Sequence, residues 1–343
     1  MEERNIYIKS ATQISLQSPL SEDWMTNPVF PDEPFMRSQD PNFRDWLPPL
    51  ESRRMGKIMR RAVVTALKVM NDSGIATPDA VITGTGLGCI ENTELFLDQL
   101  CREGEEMLKP TYFMQSTHNT ISSLIAIKTK CHGYNSTYSH KSISFESALM
   151  DAFTQMKLGD ISTALVTGND EMTPSYFNIL QRSGYVGQEG QVTAGEASVS
   201  LMLSTEGEGA LCEVEKVSLA FWGRFSLCSG HDTGEPSPLC LLAESADAVM
   251  MGYNGNQEND AVYDRLKADI AHLPVLQYKN LFGECYSASG LGIYAAAHCL
   301  KQGYAPAFMR MDGADEPMKL QRLLVVNHSD GQSFSGILLK KVN

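Results

Sequence analysis

The chain has 343 residues, 43% of them hydrophobic, and a formal net charge of −13. That length supports a large core, as one unit or as two fused halves, and the acidity argues against a nucleic-acid partner. No apolar run approaches the ~18 residues of a membrane-spanning helix, so no membrane association is expected.

The opening "MEERNIYIKS" is charged and lacks the apolar stretch of a secretory leader, which predicts a cytoplasmic protein. "IYIKS" (6–10) reads as a first strand, followed by a loop-rich segment dense in Pro, Asp and Asn. The most basic stretch, "ESRRMGKIMRR" (51–61), leads into a long helix over 52–73 and reads as its solvated face. "DAVITGTGLG" (79–88) is a strand running into a glycine turn. It lacks the third glycine of a dinucleotide fingerprint, so it is read as a turn alone. "NTELFLDQLC" and "NTISSLIAIKTK" carry helical spacing, and "GYNSTYS" (133–139) is strand-like.

"SHKSISFESALMDAF" (139–153) reads as a strand end, a sharp turn and a helix start. A nucleophile at such a turn lies in the field of the helix N-terminus. The turn offers Ser139, His140, Ser142 and Ser144 but no cysteine. A helix follows, then a buried strand over 162–171 and another over 197–204. The remainder echoes this order: a strand (210–221), a strand into a glycine turn (246–255), a helix (259–270) and a strand (274–280). A helix of small residues (289–303) and two strands around a polar turn (322–341) complete it. The echo predicts a duplication, with halves 1–205 and 206–343 in one compact unit. The eight cysteines show no regular spacing and read as reduced thiols, with no metal or cofactor expected.

In order and spacing these motifs resemble those of the β-ketoacyl synthases, nearly from end to end. The likeness runs through "PDAVITGTGLGCIENTELFLDQL", "YFMQSTHNTISSLIAI", "GYNSTYSHKSISFESALMDAFTQMKLGDISTALVTGNDE", "AGEASVSLMLS" and "QYKNLFGECYSASGLGIYAAAHCLKQG". It implies an α/β fold of the thiolase-like type, five layers in the order αβαβα, an obligate dimer, and decarboxylative condensation of malonyl units on an acyl carrier protein. The family uses a Cys nucleophile whose thiol pKa is lowered by a helix N-terminus. Two histidines donate to the thioester oxygen as enolate charge develops, and a lysine orients one of them. Matched position by position, the nucleophile falls on Ser142, the two histidines on Asn254 and Glu284, and the lysine on Lys279. The gating turn becomes "NHSDGQSFSG", which keeps Gly331 but not the Phe-Gly-Gly pattern.

With all three catalytic positions changed together, no catalytic residue is expected. The resemblance then implies a chain-length factor, a non-catalytic subunit paired with an active β-ketoacyl synthase as a heterodimer. The setting would be type II polyketide, aryl-polyene or fatty-acid-like biosynthesis, with the acyl carrier protein an indirect partner. Leu87 is expected to line the far end of an acyl pocket, and Phe145, where the family has glycine, to crowd it. Tyr112 and Met114 are expected to reach across a dimer interface. Glu284 is expected to pair with Lys279, and Asn119 and Glu171 match polar positions of the family. The alternative is an acyltransferase or esterase with Ser142 as nucleophile. That requires a base such as His118, His140 or His328. Against it stands Ser142 as an ordinary helix-start serine, with Ser139 as the equivalent if the count slips. A homodimer without a synthase partner is a third possibility.

Overall fold

Period-two alternation of apolar side chains along the strands decides the architecture. The computed structural model describes residues 4–106, 108–221 and 238–342. The N-terminal half runs β1 (Tyr7–Ile14), α1 (Pro49–Ser52), α2 (Lys57–Ser73), β2 (Ala80–Gly84), α3 (Ile90–Glu103), α4 (Pro110–Ser116) and α5 (Thr120–Thr129). It continues with β3 (Tyr134–Tyr138), α6 (Ser144–Leu158), β4 (Thr163–Asp170), α7 (Pro174–Arg182) and β5 (Ala197–Ser204). The C-terminal half runs β6 (Cys212–Phe221), α8 (Pro238–Ala243), β7 (Ala248–Met251), α9 (Gln257–Asp269), β8 (Val275–Gln277) and α10 (Lys279–Phe282). Then come α11 (Ala288–Gln302), the short β9 (Tyr304–Ala305) and β10 (Met318–Lys319), β11 (Arg322–Ser329) and β12 (Ser333–Lys341).

The long sheet has the order β3-β2-β4-β5-β1-β6-β12-β11-β7-β8. Each half contributes its third, second, fourth, fifth and first strand in that order, and the two halves share the same parallel and antiparallel pairings. They meet where β1 runs antiparallel to β6, with Tyr7 opposite Glu213 and Ile8 opposite Cys212.

Alternate residues face opposite layers. Val81, Leu165 and Met202 point to α2 and α5, while Ile82, Val166 and Leu201 point to α6. In the second half, Val249, Leu324 and Leu338 point to α8 and α9, while Met250, Val325 and Ile337 point to α11. Helices α6 and α11 therefore form one middle layer covered on both sides, giving the thiolase-like αβαβα arrangement. Ala288 to Leu300 of α11 are all buried, and the small residues let that helix lie between two sheets.

Four expectations change. Phe145 borders no pocket; it is fully buried in the middle layer. Lys141–Ile143 form a 3-10 turn before α6 begins. Arg61 in the basic stretch is fully buried rather than solvated, bonded to Asp40 at 2.5 Å and Glu196 at 2.8 Å. Cys240 is disulfide-bonded rather than a reduced thiol, whereas six other described cysteines are free. Lys279 opens the one-turn α10 instead of continuing a strand.

The Phe145 ring occupies space that glycine leaves. A Cβ on Gly168 would meet Phe145 Cδ2 at 2.6 Å, and one on Gly290 would meet it at 2.9 Å. Gly168→Ala should cost about 1–3 kcal/mol of stability, and adding Phe145→Leu should recover part of the loss in denaturant titrations. A neutral Gly168→Ala would mean this core has slack.

Candidate functional site

β3 delivers the chain to the expected turn. Lys141 takes a left-handed conformation (φ 50°), a strained choice for a residue with a Cβ. Ser144 secures the turn: the His140 N–H donates to its Oγ at 2.8 Å, and that hydroxyl donates to the Lys141 carbonyl at 2.6 Å. Asn327 Nδ2 donates to the Ser142 carbonyl at 2.7 Å and to Glu146 Oε1 at 2.9 Å. Ser289 and Ser335 also donate to Glu146, at 2.8 and 3.0 Å. Burial raises the Glu146 pKa while these donors oppose the rise. Ser139 is turned away, donating to the Gly86 carbonyl at 3.2 Å. The serine on the elbow that faces open space is Ser142, which lines a polar pocket together with Tyr185.

The other two altered positions lock onto each other. Glu284 Oε2 accepts from Asn254 Nδ2 at 2.6 Å and from Lys279 Nζ at 2.7 Å, with all three residues buried. The Asn254 Oδ1 is occupied as well, accepting from the Asn256 N–H at 3.0 Å. Stabilising an enolate oxygen requires donors aimed at unoccupied space. Here the donors are spent on a carboxylate, whose charge would oppose the enolate.

Two of the three candidate bases are engaged elsewhere. His328 Nε2 donates to the Asn259 carbonyl at 3.1 Å, while Nδ1 accepts from the Gly331 N–H at 3.3 Å. Burial, with Lys279 second, lowers its pKa to about 4. His140 Nδ1 lies 2.9 Å from Ser147 Oγ, and Ser147 donates its own proton to the Ile143 carbonyl. His118 is exposed beside Gly88. Asn119 is the exposed residue preceding α5.

The polar pocket has a volume of about 660 Å³ and includes Ser142, Tyr185, Lys279, His328 and Asp330. Beneath it, Leu87, Met172, Tyr176, Leu180 and Tyr286 surround an apolar space of about 10 Å³, room for one water at most. Leu87 lines this space, which is nearly filled. Tyr112 sits in a separate surface depression with Arg53 and Arg54, under the Lys109 ammonium, and Met114 is exposed. The three tyrosines 176, 185 and 286 carried no periodic or motif signal in the sequence.

Asp170 clamps the glycine turn to the second half. It accepts from Thr85 Oγ1 at 3.1 Å, from the N–H groups of Gly86 and Leu87 at 2.9 and 3.1 Å, and from Ser287 Oγ. Burial pushes its pKa to about 6. Burial likewise pushes Glu171, which accepts from the Glu91 N–H at 3.0 Å, to about 7. Among the described residues, no cluster of His, Cys, Asp or Glu is placed to hold a metal, and no helix is long and apolar enough to cross a membrane.

Two outcomes follow from these networks. Lys279→Met strands a buried carboxylate and should cost about 3–5 kcal/mol, most of it restored by adding Glu284→Gln; additive losses in denaturant titrations would refute the pairing. Because the folded state holds the Asp170 proton more tightly than the unfolded chain, its contribution is present below about pH 4 and lost as pH rises through 6. Asp170→Asn keeps an acceptor for the turn. It should therefore gain stability relative to wild type from pH 4 to 6, by on the order of 3 kcal/mol, then level off. A difference independent of pH would show that ionised Asp170 is tolerated without cost.

Comparison with known proteins agrees with this frame. The pattern of the β-ketoacyl synthase N-terminal domain matches residues 22–222. No curated protein matches. Among solved structures, the ishigamide ketosynthase/chain length factor superposes with a TM-score of 0.80 at 17% identity, covering 99% of this chain and 100% of that one. A type II polyketide acyl carrier protein in complex with its hexaketide-bound ketosynthase gives 0.74 at 11% identity, again covering 99% and 100%. A β-ketoacyl synthase from Burkholderia phymatum STM815 gives 0.72 at 13% identity, with the same coverage. At these identities the structural likeness is one of fold. More than half of the chain carries the sequence pattern itself, and the chain therefore belongs to the β-ketoacyl synthase family.

Proposed function

We propose that this ketosynthase-like subunit performs no condensation of its own. It pairs, as a chain-length factor, with an active β-ketoacyl synthase in cytoplasmic type II polyketide, aryl-polyene or fatty-acid-like biosynthesis. The observation that carries the reading is the Asn254–Glu284–Lys279 set, which puts a carboxylate where the family has a donor and turns both neighbouring donors onto it. An open sheet edge supports the pairing. β3 ends the sheet, Tyr134 on it is 41% exposed, and an unpaired edge of this kind is a site for another chain. One structural relative is a ketosynthase/chain length factor, and another holds an acyl carrier protein against its ketosynthase. By analogy, the carrier engages the active partner. Residues 1–205 and 206–343 are read as duplicated halves. Leu87 is read as marking the end of an acyl pocket, and Tyr112 and Met114 as reaching across the interface toward the partner.

The second reading, Ser142 as an acylated nucleophile, draws on its position in the polar pocket. It lacks a base. Tyr185, which lines the same pocket, has its pKa pushed far up, first by Glu284 and then by burial, so it holds its proton.

The purified chain, incubated with malonyl-carrier protein and an acyl primer, should give no condensed product and no acyl mass shift on the 139–153 peptide. Mixed with an active Cys-His-His synthase, it should form a stable complex. Turnover by the chain alone, abolished by Ser142→Ala, would replace this reading with the acyltransferase.

A further inference from the structure

A second cleft, of about 500 Å³, lies between the start of α3 and the turn from β4 into α7. Carboxylates dominate its lining, and most of them are accounted for. Glu196 accepts from Arg61 Nη1 at 2.8 Å and from the Ser38 N–H at 3.1 Å. Glu94 accepts from Thr173 Oγ1 at 2.6 Å, and Asp98 pairs with Arg102 at 2.8 Å. Glu171 is the exception. It is only 6% exposed, and one of its oxygens accepts from the Glu91 N–H at 3.0 Å. The other oxygen has no hydrogen bond or ion pair among the described residues. The Glu91 carboxylate is exposed and has no partner either.

A buried carboxylate is ordinarily paired with a cation. The cations around this cleft do not supply the pair. Lys57 is bonded to Asp40 at 3.2 Å, and Arg61 is spent on Asp40 and Glu196. Arg37, exposed, lines the cleft but pairs with none of these carboxylates. Burial first, and then the like charges of Glu91 and Glu196, raise the Glu171 pKa to about 7, with the Glu91 N–H and Arg61 opposing. Among the described residues, no group of His, Cys, Asp or Glu is placed to hold a metal ion. The cation that fits is therefore an organic one. The walls add an apolar component: Leu95 and Leu97, 42% and 50% exposed, line the cleft together with Met172 and Pro174. An alkyl chain laid there removes apolar surface from water.

We propose that this cleft binds a primary alkylammonium ion, its charge on the free Glu171 oxygen with Glu91 alongside, and its alkyl chain along Leu95, Leu97 and Met172. The ammonium supplies the counter-ion that the fold leaves out, and its three N–H donors meet carboxylate acceptors. The site is separate from the elbow and stands whether or not the chain pairs with a synthase.

The test is calorimetric titration of the full-length protein with n-hexylammonium chloride, with hexan-1-ol as the uncharged control. Wild type at pH 8 should bind one equivalent of the ammonium and none of the alcohol. Glu171→Gln keeps an acceptor for the Glu91 N–H, so it should melt like wild type and bind at least about tenfold more weakly. No histidine lines the cleft, so between pH 8 and pH 6 the group that takes up a proton there is Glu171. The amine, with a pKa near the ~10 of lysine, stays charged. Wild-type affinity should therefore fall about tenfold over that range, and the affinity of Glu171→Gln should not change. Absence of saturable binding by wild type would overturn the proposal. So would equal affinities of wild type and Glu171→Gln, a wild-type affinity independent of pH, or hexan-1-ol binding as tightly as the ammonium. If Glu171→Gln does not fold, Leu97→Lys, which adds positive charge at the exposed wall, should weaken binding by the same factor, and unchanged binding would sink the site.

Discussion

A buried carboxylate with two donors, Glu284 between Lys279 and Asn254, sets the character of the site. Burying an ion pair is costly, and removing one member leaves the other without water or partner. The three side chains therefore form a set whose members depend on one another. The same carboxylate acts on Tyr185, keeping its hydroxyl protonated and the ring neutral where it meets the pocket. One substitution in the family pattern thus reaches from the donor positions to the wall beside the elbow.

The frame around the altered chemistry is intact, and buried polar networks hold it. Glu146 and Asn327 suspend the elbow from the second half, while Asp170 fastens the glycine turn to Ser287 at the entry to α11. Each network joins residues from both halves, so the strained Lys141 turn is fixed by contacts remote from it in sequence. A scaffold can keep the shape of a catalytic site after losing its reactive groups, because different residues set shape and reactivity.

Much of this was legible in the sequence. The five layers followed from the family resemblance, and motif matching singled out Asn254, Lys279 and Glu284, which hydrogen bonds join, and Ser142, which shares a pocket with Lys279. Phe145 was expected to crowd a pocket because the family has glycine there; its ring is instead buried in the middle layer against Gly168 and Gly290, which no local pattern reveals. Tyr185 was invisible because it sits on a glycine-flanked loop with no periodicity. Arg61 looked solvated because helical spacing does not reveal that Asp40 and Glu196 converge on it. His328 looked available as a base until the carbonyl of Asn259 and the N–H of Gly331 were seen to occupy its ring.

The position of β1 bears on how the chain is made. Its sheet neighbours are β5 and β6, about 200 residues downstream, which emerge roughly 10–40 s later at ribosomal rates. Until then Ile6, Ile8 and Ile14, all fully buried at the end, have no sheet to join. α2 is synthesised early enough to shelter one face of the strand, but not its hydrogen-bonding edges. The first strand translated is the last of its own half that can dock, which gives the folding of that half the slowness of long-range strand pairing.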